Sequence, residues 1–221
     1  MRIYVSHDTA ARSVGADEVA TLLAELPNVE IVRNGSRGLL WLEPLVEIEV
    51  DDARLAFGPV APADVDSLIE RVQDGTASAH PLSLGNIEAH RWFEAQDRVT
   101  FARVGVIDPL SVDEFRAHGG FVGLRNALAL APAAIVEEVL TSGLRGRGGA
   151  GFPAGIKWRT VLNAPGDEKF IACNADEGEP GTFKDRVLLT TYADLVFEGM
   201  TVAAYTIGAR RGFLYLRGEY R

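Results

Sequence analysis

Gly143-Leu144-Arg145-Gly146-Arg147-Gly148-Gly149-Ala150-Gly151-Phe152-Pro153-Ala154-Gly155-Ile156-Lys157-Trp158 holds six of the chain's 23 glycines. Glycine loses more backbone entropy on ordering than any other residue, so this density costs stability unless the backbone itself is needed. Arg145, Arg147, Lys157 and Arg159 surround the run, in a chain whose net charge is −9. Bare backbone among cations suits a phosphate-bearing ligand. Residues 146–151 spell G-x-G-x-x-G, but the dinucleotide fingerprint must follow a strand, open a helix and meet an acidic residue about 20 positions later. Residues 132–142 instead read as a helix: proline in the first turn, Ile135, Val136, Val139 and Leu140 at helical spacing, Gly143 as the stop. The place of the acidic residue falls on residues 171–174, and no Gly-Lys-Ser/Thr triplet follows to make a P-loop. The lettering therefore misleads about the fold while still indicating a ligand. The plain alternative, a glycine-rich connection that lets helices pack, leaves the cations and Phe152 unexplained.

At 221 residues the chain has room for one large domain or two small ones. With 47% hydrophobic and 24% charged residues it reads as globular with a real core. No apolar run reaches the roughly 18 residues of a membrane span, and the start lacks the pattern of a secretory signal. Net acidity argues against nucleic acid as a main partner. The single cysteine, Cys173, rules out a disulfide framework and any cysteine-only zinc or iron–sulfur site within these residues, and it points to a reducing, cytoplasmic setting.

Before the glycine run, residues 2–5 read as a strand. Residues 16–26 follow as a helix with Val19, Leu22, Leu23 and Leu26 inward, stopped by Pro27. Residues 29–33 read as a second strand, 45–50 and 54–57 as a hairpin around Asp51-Asp52-Ala53, and 62–73 as a helix. This order predicts a small α/β domain. Residues 76–109 read as a linker; His80, His90 and His118 match no metal spacing. Ser111 and Glu114 form an S-x-x-E capping box for a short helix, and 124–130 reads as another.

After the run, residues 157–162 read as a helix, with Trp158 in the core. Residues 169–173 form an apolar strand that ends in Asn174-Ala175-Asp176-Glu177-Gly178-Glu179-Pro180-Gly181. Ligands of open α/β sheets bind beyond the carboxyl ends of strands. An amide and three carboxylates there suit hydroxyl groups and the imide of a flavin ring. The EF-hand spacing that would make this a calcium loop is absent; simple neutralisation of the nearby arginines remains the other reading. Phe152 offers a stacking face for adenine or flavin, and Lys157 a charged donor to phosphate, or merely a solvated lysine. An apolar helix over 194–207 and a buried strand over 213–216 complete a parallel crossover. Cys173, at a buried strand end, is read as packing.

Residues 143–158, 173–186 and 217–221 together resemble the FMN- and NADH-binding subunit of respiratory complex I and its relatives, the diaphorase subunits of NAD-reducing hydrogenases and the β subunit of molybdenum, NAD-dependent formate dehydrogenases. The resemblance implies an α/β fold: a thioredoxin-like, ferredoxin-type domain over 1–78, a linker over 79–110, and the N-terminal part of a Rossmann-like FMN/NAD(H)-binding domain over 111–221. It implies that Gly143, Leu144, Arg145, Gly146, Arg147, Gly148, Gly149, Ala150, Gly151 and Phe152 shape the NAD site, that Lys157, Asn174, Asp176 and Glu177 hold FMN, and that Glu179 touches the dinucleotide and positions nicotinamide for hydride transfer. The family's Gly-Glu-Glu-Thr motif and [4Fe-4S] cysteines are expected beyond residue 221. The [2Fe-2S] ligand positions of the ferredoxin-type domain fall on Ser6, Ala11, Ser36 and Leu40, which predicts no [2Fe-2S] cluster there. That combination looks most like the formate dehydrogenase β subunit, with a [2Fe-2S] ferredoxin-like small subunit and a large molybdenum-cofactor, iron–sulfur subunit as partners. The alternatives are the same chemistry in a hydrogenase or complex I, and a non-catalytic nucleotide-binding scaffold.

Overall fold

Ile3, Val5, Val46, Ile48 and Phe57 sit at alternate positions of neighbouring strands, and all are fully buried. A computed structural model of the chain describes residues 1–51 and 53–220; the hairpin tip at Asp52 lies outside the described residues. The chain divides into two compact units, Met1–Glu114 and the residues from Phe115 onward.

In the first unit, β1 (Arg2–Val5) is followed by helices α1 (Thr9–Ser13) and α2 (Ala16–Ala24) and by β2 (Glu30–Val32). β3 (Val46–Val50), β4 (Ala53–Phe57), α3 (Val65–Gln73), β5 (Ser83–Asn86) and the single turn α4 (Arg91–Glu94) complete it. The sheet order is β2-β1-β3-β4-β5. β1 and β2 are parallel, which requires the α1–α2 crossover, and β3 runs antiparallel to both its neighbours. This mixed sheet, with the central strand reversed, is the thioredoxin-like arrangement. Period-3.6 patterning drives α2 and α3 onto it through Val19, Leu23, Val65 and Leu68, each under 5% exposed. Each such fully buried aliphatic side chain is worth about 1.5–3 kcal/mol.

Where the sequence reads a linker over 79–110, the chain adds the fifth strand, antiparallel to β4. Ser83-Leu84-Gly85-Asn86 lacks β-branched residues and alternation, so it carries no strand signal. The following segment stays on the unit. Ile87, Val104 and Ile107 are buried, Asn34 Nδ2 donates to the Gly105 carbonyl at 2.7 Å, and Arg54 donates to the Gly105 and Val106 carbonyls at 3.1 and 2.7 Å. Arg37 is buried against Glu47 through two hydrogen bonds of 3.0 and 2.8 Å, with Glu88 at 2.8 Å. Burial pulls its pKa down, but the carboxylates outweigh it and the guanidinium stays firmly charged.

The second unit strings together α5 (Val112–Ala117), whose start belongs to the first unit, α6 (Val122–Leu128), α7 (Pro132–Thr141) and α8 (Ala154–Asn163). It continues with β6 (Phe170–Ala175), α9 (Lys184–Thr191), α10 (Ala193–Ile207) and β7 (Arg211–Leu216). Ser111 Oγ accepts the Glu114 N–H as the capping box predicts, but the Glu114 carboxylate turns to the Asp108 N–H and to Arg2. β6 and β7 pair in parallel over six residues. α10 packs against α6, α7, α8, α9 and both strands, so it is the pillar of this unit; Gly208 ends it with φ 77°. Glu198 on α10 is buried and accepts the N–H groups of Phe121 and Leu124, at 2.8 and 2.9 Å, which caps α6 from a distance.

Two expectations for this unit are corrected. α8 opens at Ala154, directly after Pro153, so Lys157 lies within its first turn rather than at its start. β7 is not buried: Phe213 and Tyr215 are 56% and 61% exposed, because α10 covers only part of the two-stranded sheet. Cys173 is accordingly half-buried. No single helix among the described residues is long and apolar enough to cross a membrane.

Candidate functional site

The glycine run connects α7 to α8 as a closed loop. Gly146 N–H donates to the Phe152 carbonyl and Ala154 N–H to the Leu144 carbonyl, both at 2.9 Å, with Arg145 bridged to Pro153. Gly149 and Gly151 have φ of 101° and 60°, where any other residue would be strained. Gly155 is required by packing: a Cβ there would lie 2.6 Å from Leu140 Cγ, so α7 and α8 meet closely at this point. Gly146 and Gly148 are different. Their φ is ordinary, and a Cβ at either would meet no atom closer than 3.8 Å. Nothing in the fold asks for glycine at these two positions; a molecule lying on the backbone would.

Residues 143–150 and Phe152 of the loop are exposed. The N–H groups of residues 148–151 donate to no backbone carbonyl among the described residues. Arg145 and Arg147 fold back onto the Gly151 and Arg145 carbonyls, each at 3.1 Å. Phe152 is 49% exposed, and Lys157 Nζ stands 5.9 Å from its ring centroid. Leu144 is also exposed. The predicted residues from Gly143 to Phe152 and Lys157 therefore form one surface of backbone donors, cations and an aromatic face.

The acidic turn leaves the carboxyl end of β6. Asn174 Oδ1 accepts the Asp176 N–H at 3.1 Å, and Gly178 N–H returns to the Asp176 carbonyl at 3.1 Å. Asn174, Asp176 and Glu179 are exposed, whereas Glu177 is buried. Its Oε2 accepts the N–H groups of Asp185 and Arg186, at 3.0 and 3.4 Å, capping the N-terminus of α9. Burial pushes the Glu177 carboxyl up. The Asp185 N–H, the Tyr220 hydroxyl, the Arg186 N–H and the Lys184 charge together outweigh it, and the pKa ends below the ordinary carboxylate value. Oε1 is buried without a hydrogen-bond partner among the described residues; Lys184 Nζ lies 3.5 Å away. Each of the two predicted groups is thus assembled, and α10 supports both, since α8 and β6 pack on it.

Sequence reasoning missed the groups that clasp the turn. Arg217 Nη1 donates to the Glu177 carbonyl at 2.7 Å and the Tyr220 hydroxyl to Glu177 Oε2 at 3.0 Å. A separation of some forty residues hides both contacts from any local pattern. Trp158, expected in the core, is partly exposed.

Other chemistry is less well supplied. Burial, with Asp185 adding, pushes the Cys173 thiol up, away from thiolate reactivity. Ser67 Oγ lies 3.2 Å from His80 Nε2, but Nδ1 accepts the Leu82 N–H, so the ring proton sits on Nε2 and the histidine is no base for the serine. Of the expected [2Fe-2S] ligand positions, Ser6 and Ala11 are buried and Ser36 donates to Glu43 at 2.9 Å, while the Leu40 side chain is exposed. No group of three or more His, Cys, Asp or Glu among the described residues is placed to hold a metal.

Residues 139–221 match the Nuo51 FMN-binding domain family. Over 99% of its length the chain is 34% identical to the NAD-reducing hydrogenase HoxS subunit alpha of Cupriavidus necator, and it spans 37% of that protein. Over 55% of its length it is 50% identical to an NADH-quinone oxidoreductase subunit of Rhizobium meliloti, spanning 29% of it. The thioredoxin-like [2Fe-2S] ferredoxin from Aquifex aeolicus superposes on 38% of the chain and 96% of its own, at 19% identity and a TM-score of 0.33. A unit with thioredoxin-like strand order is thus followed by residues similar to the Nuo51 FMN-binding domain family.

Proposed function

We propose that this chain is the FMN- and NAD(H)-binding part of an oxidoreductase subunit that exchanges a hydride between the two and relays electrons to iron–sulfur clusters. The observation that carries the reading is the exposed loop with two glycines the fold does not require, in a segment matching an FMN-binding family. Bound FMN supplies the chemistry of accepting a hydride and releasing single electrons. The chain's residues bind and orient. The Gly143–Phe152 loop offers N–H donors and cations to a dinucleotide's phosphates, and Phe152 an aromatic face. Lys157, Asn174, Asp176 and Glu177 hold the flavin, and the buried Oε1 of Glu177, which has Lys184 3.5 Å away but no hydrogen-bond partner among the described residues, fits a hydroxyl or imide donor. Glu179, exposed at the tip of the turn, orients the nicotinamide end. No acid–base residue is required for the hydride step itself, so placement is the protein's contribution.

The relatives named above belong to a hydrogenase and a quinone oxidoreductase. They favour that setting over the formate dehydrogenase β subunit expected from the sequence, and give no support to a molybdenum subunit as partner. A [2Fe-2S] ferredoxin-like subunit and a large iron–sulfur subunit are the partners this setting calls for, and a peripheral cytoplasmic placement agrees with it. The full-length protein should purify yellow with bound FMN and oxidise NADH with a dye acceptor. Glu179→Gln should keep the flavin and slow NADH oxidation about tenfold or more, the scale of lost orientation. A colourless protein that binds NADH without oxidising it would instead be a nucleotide-binding scaffold.

A further inference from the structure

We infer that Arg217 and Tyr220 are positioning residues that lock Glu177, and through it the acidic turn, into its ligand-binding shape. This rests on the FMN/NAD(H) reading above and extends it to residues that touch no ligand.

The parallel register places Ala175 opposite Leu216, so the segments leaving β6 and β7 start side by side. The β7 side then grips the β6 side at two points. Arg217 Nη1 holds the Glu177 backbone carbonyl at 2.7 Å. Its guanidinium is in turn held by Glu219, through Nε at 3.1 Å and Nη2 at 2.8 Å. Arg217 drives the Glu219 carboxyl down to about 2, so the pair stays ionised at any physiological pH. The second grip is the Tyr220 hydroxyl on Glu177 Oε2 at 3.0 Å.

The consequence lies in how the carboxylate is divided. Oε2 receives three donors: Tyr220, the Asp185 N–H and the Arg186 N–H. Oε1 is left buried, with Lys184 Nζ 3.5 Å away and no hydrogen-bond partner among the described residues. A side chain that is 2% exposed and fastened by one oxygen presents the other at a fixed place. An acceptor that has the Lys184 charge at 3.5 Å but no hydrogen bond rewards a ligand donor that reaches it. Without Tyr220 the carboxylate can rotate and share its donors, and without Arg217 the backbone beneath it is released.

The test is FMN titration of the flavin-stripped full-length protein across pH 4–8, comparing wild type with Tyr220→Phe, Arg217→Gln and Arg217→Lys. The groups facing Glu177 are Lys184, Asp185 and Arg186 from α9, and Arg217 and Tyr220 after β7. The hydrogen bonds keep the Glu177 pKa low, so flavin binding that uses its ionised form weakens as pH falls through that value. Losing the Tyr220 donor raises the pKa, and the acid limb moves to higher pH. Tyr220→Phe should weaken FMN about 5- to 10-fold, the scale of one hydrogen bond, and shift the limb up by about half a unit to one unit. Arg217→Gln should weaken FMN to a similar degree, and Arg217→Lys, which can still donate to the carbonyl, should recover most of it. Wild-type affinity and an unmoved limb in both Tyr220→Phe and Arg217→Gln overturn the proposal while leaving the flavin reading intact. A wild-type protein that takes up no FMN overturns both. If Tyr220→Phe does not fold, equal affinities for the Arg217→Gln and Arg217→Lys proteins overturn the proposal on their own.

Discussion

Arg37 in the first unit is buried and clasped by Glu47 and Glu88, whereas Arg145 and Arg147 in the second lie on the surface and bond to carbonyls of their own loop. The same contrast runs through the backbone. The first unit spends its main-chain donors on a five-stranded sheet, and the N–H groups of residues 148–151 have no backbone acceptor among the described residues. Apolar side chains divide less cleanly: Ile3, Leu23, Leu68 and Phe57 are inside the first unit, which also exposes Trp41 and Val99, while Phe152, Phe170, Phe213 and Tyr215 of the second are more than 40% exposed. A parallel sheet normally buries both faces. What the second unit leaves without an internal partner among the described residues is the backbone of residues 148–151 and much of the two-stranded sheet.

The strongest way to break this contrast is to take a partner from a buried charge of the first unit. Glu47→Ala leaves the buried Arg37 guanidinium with only the exposed Glu88 as a carboxylate partner, and loss of one partner of a buried pair costs about 3–5 kcal/mol. Urea unfolding should show that loss, and FMN affinity of the folded fraction should be unchanged. Adding Arg37→Met should restore part of the stability, because it removes the under-paired buried charge. If Glu47→Ala instead weakens FMN without destabilising the protein, the first unit is no mere scaffold.

The opposite signature is expected at Gly148. With ordinary φ and open space around its Cβ position, Gly148→Ala should change stability by no more than about 0.5 kcal/mol. If a dinucleotide lies against that backbone, the added methyl overpacks the complex by about 1–2 kcal/mol, and NADH binding weakens about tenfold. A fall in melting temperature with unchanged NADH affinity would return the loop to a purely structural role.

Much of this division could be read from residue order. Val19, Leu22 and Leu23, or Ile135, Val136 and Val139, repeat with the helix period, and the density of glycine from 143 to 155 marked the loop without any structure. β5 was hidden because Ser83-Leu84-Gly85-Asn86 is a strand by pairing with β4 rather than by propensity. The burial expected of Phe213 failed for a related reason: an apolar run predicts that something covers it, but not which element does. The turn from Asn174 to Glu179 was visible as chemistry, yet the distinct place of Glu177 within it was not. Its partners are the start of α9 and residues 217 and 220, and spacing in one chain encodes no such meeting. The carboxylate of Glu198 caps a helix far from it in sequence, and that of Glu177 one eight residues on, both beyond the three-residue reach of local capping rules.

The smallest expected effect belongs to Lys157, and it separates two ways in which an exposed cation serves a site. The ammonium stands 5.9 Å from the Phe152 ring centroid, an exposed geometry worth about 0.5–1 kcal/mol as a cation–π contact. Held there, it is a point charge beside the glycine loop, and Lys157→Gln should weaken FMN or NADH binding a few-fold with little change in stability. If the charge acts through space on phosphate, the ratio of mutant to wild-type affinity should shrink as salt rises from about 0.05 to 0.5 M, because the Debye length falls to a few ångströms. The Lys157→Arg protein would keep that salt dependence while altering the contact. A ratio independent of salt would show that Lys157 works by holding Phe152 in place, so that the aromatic face rather than the cation is what the ligand meets.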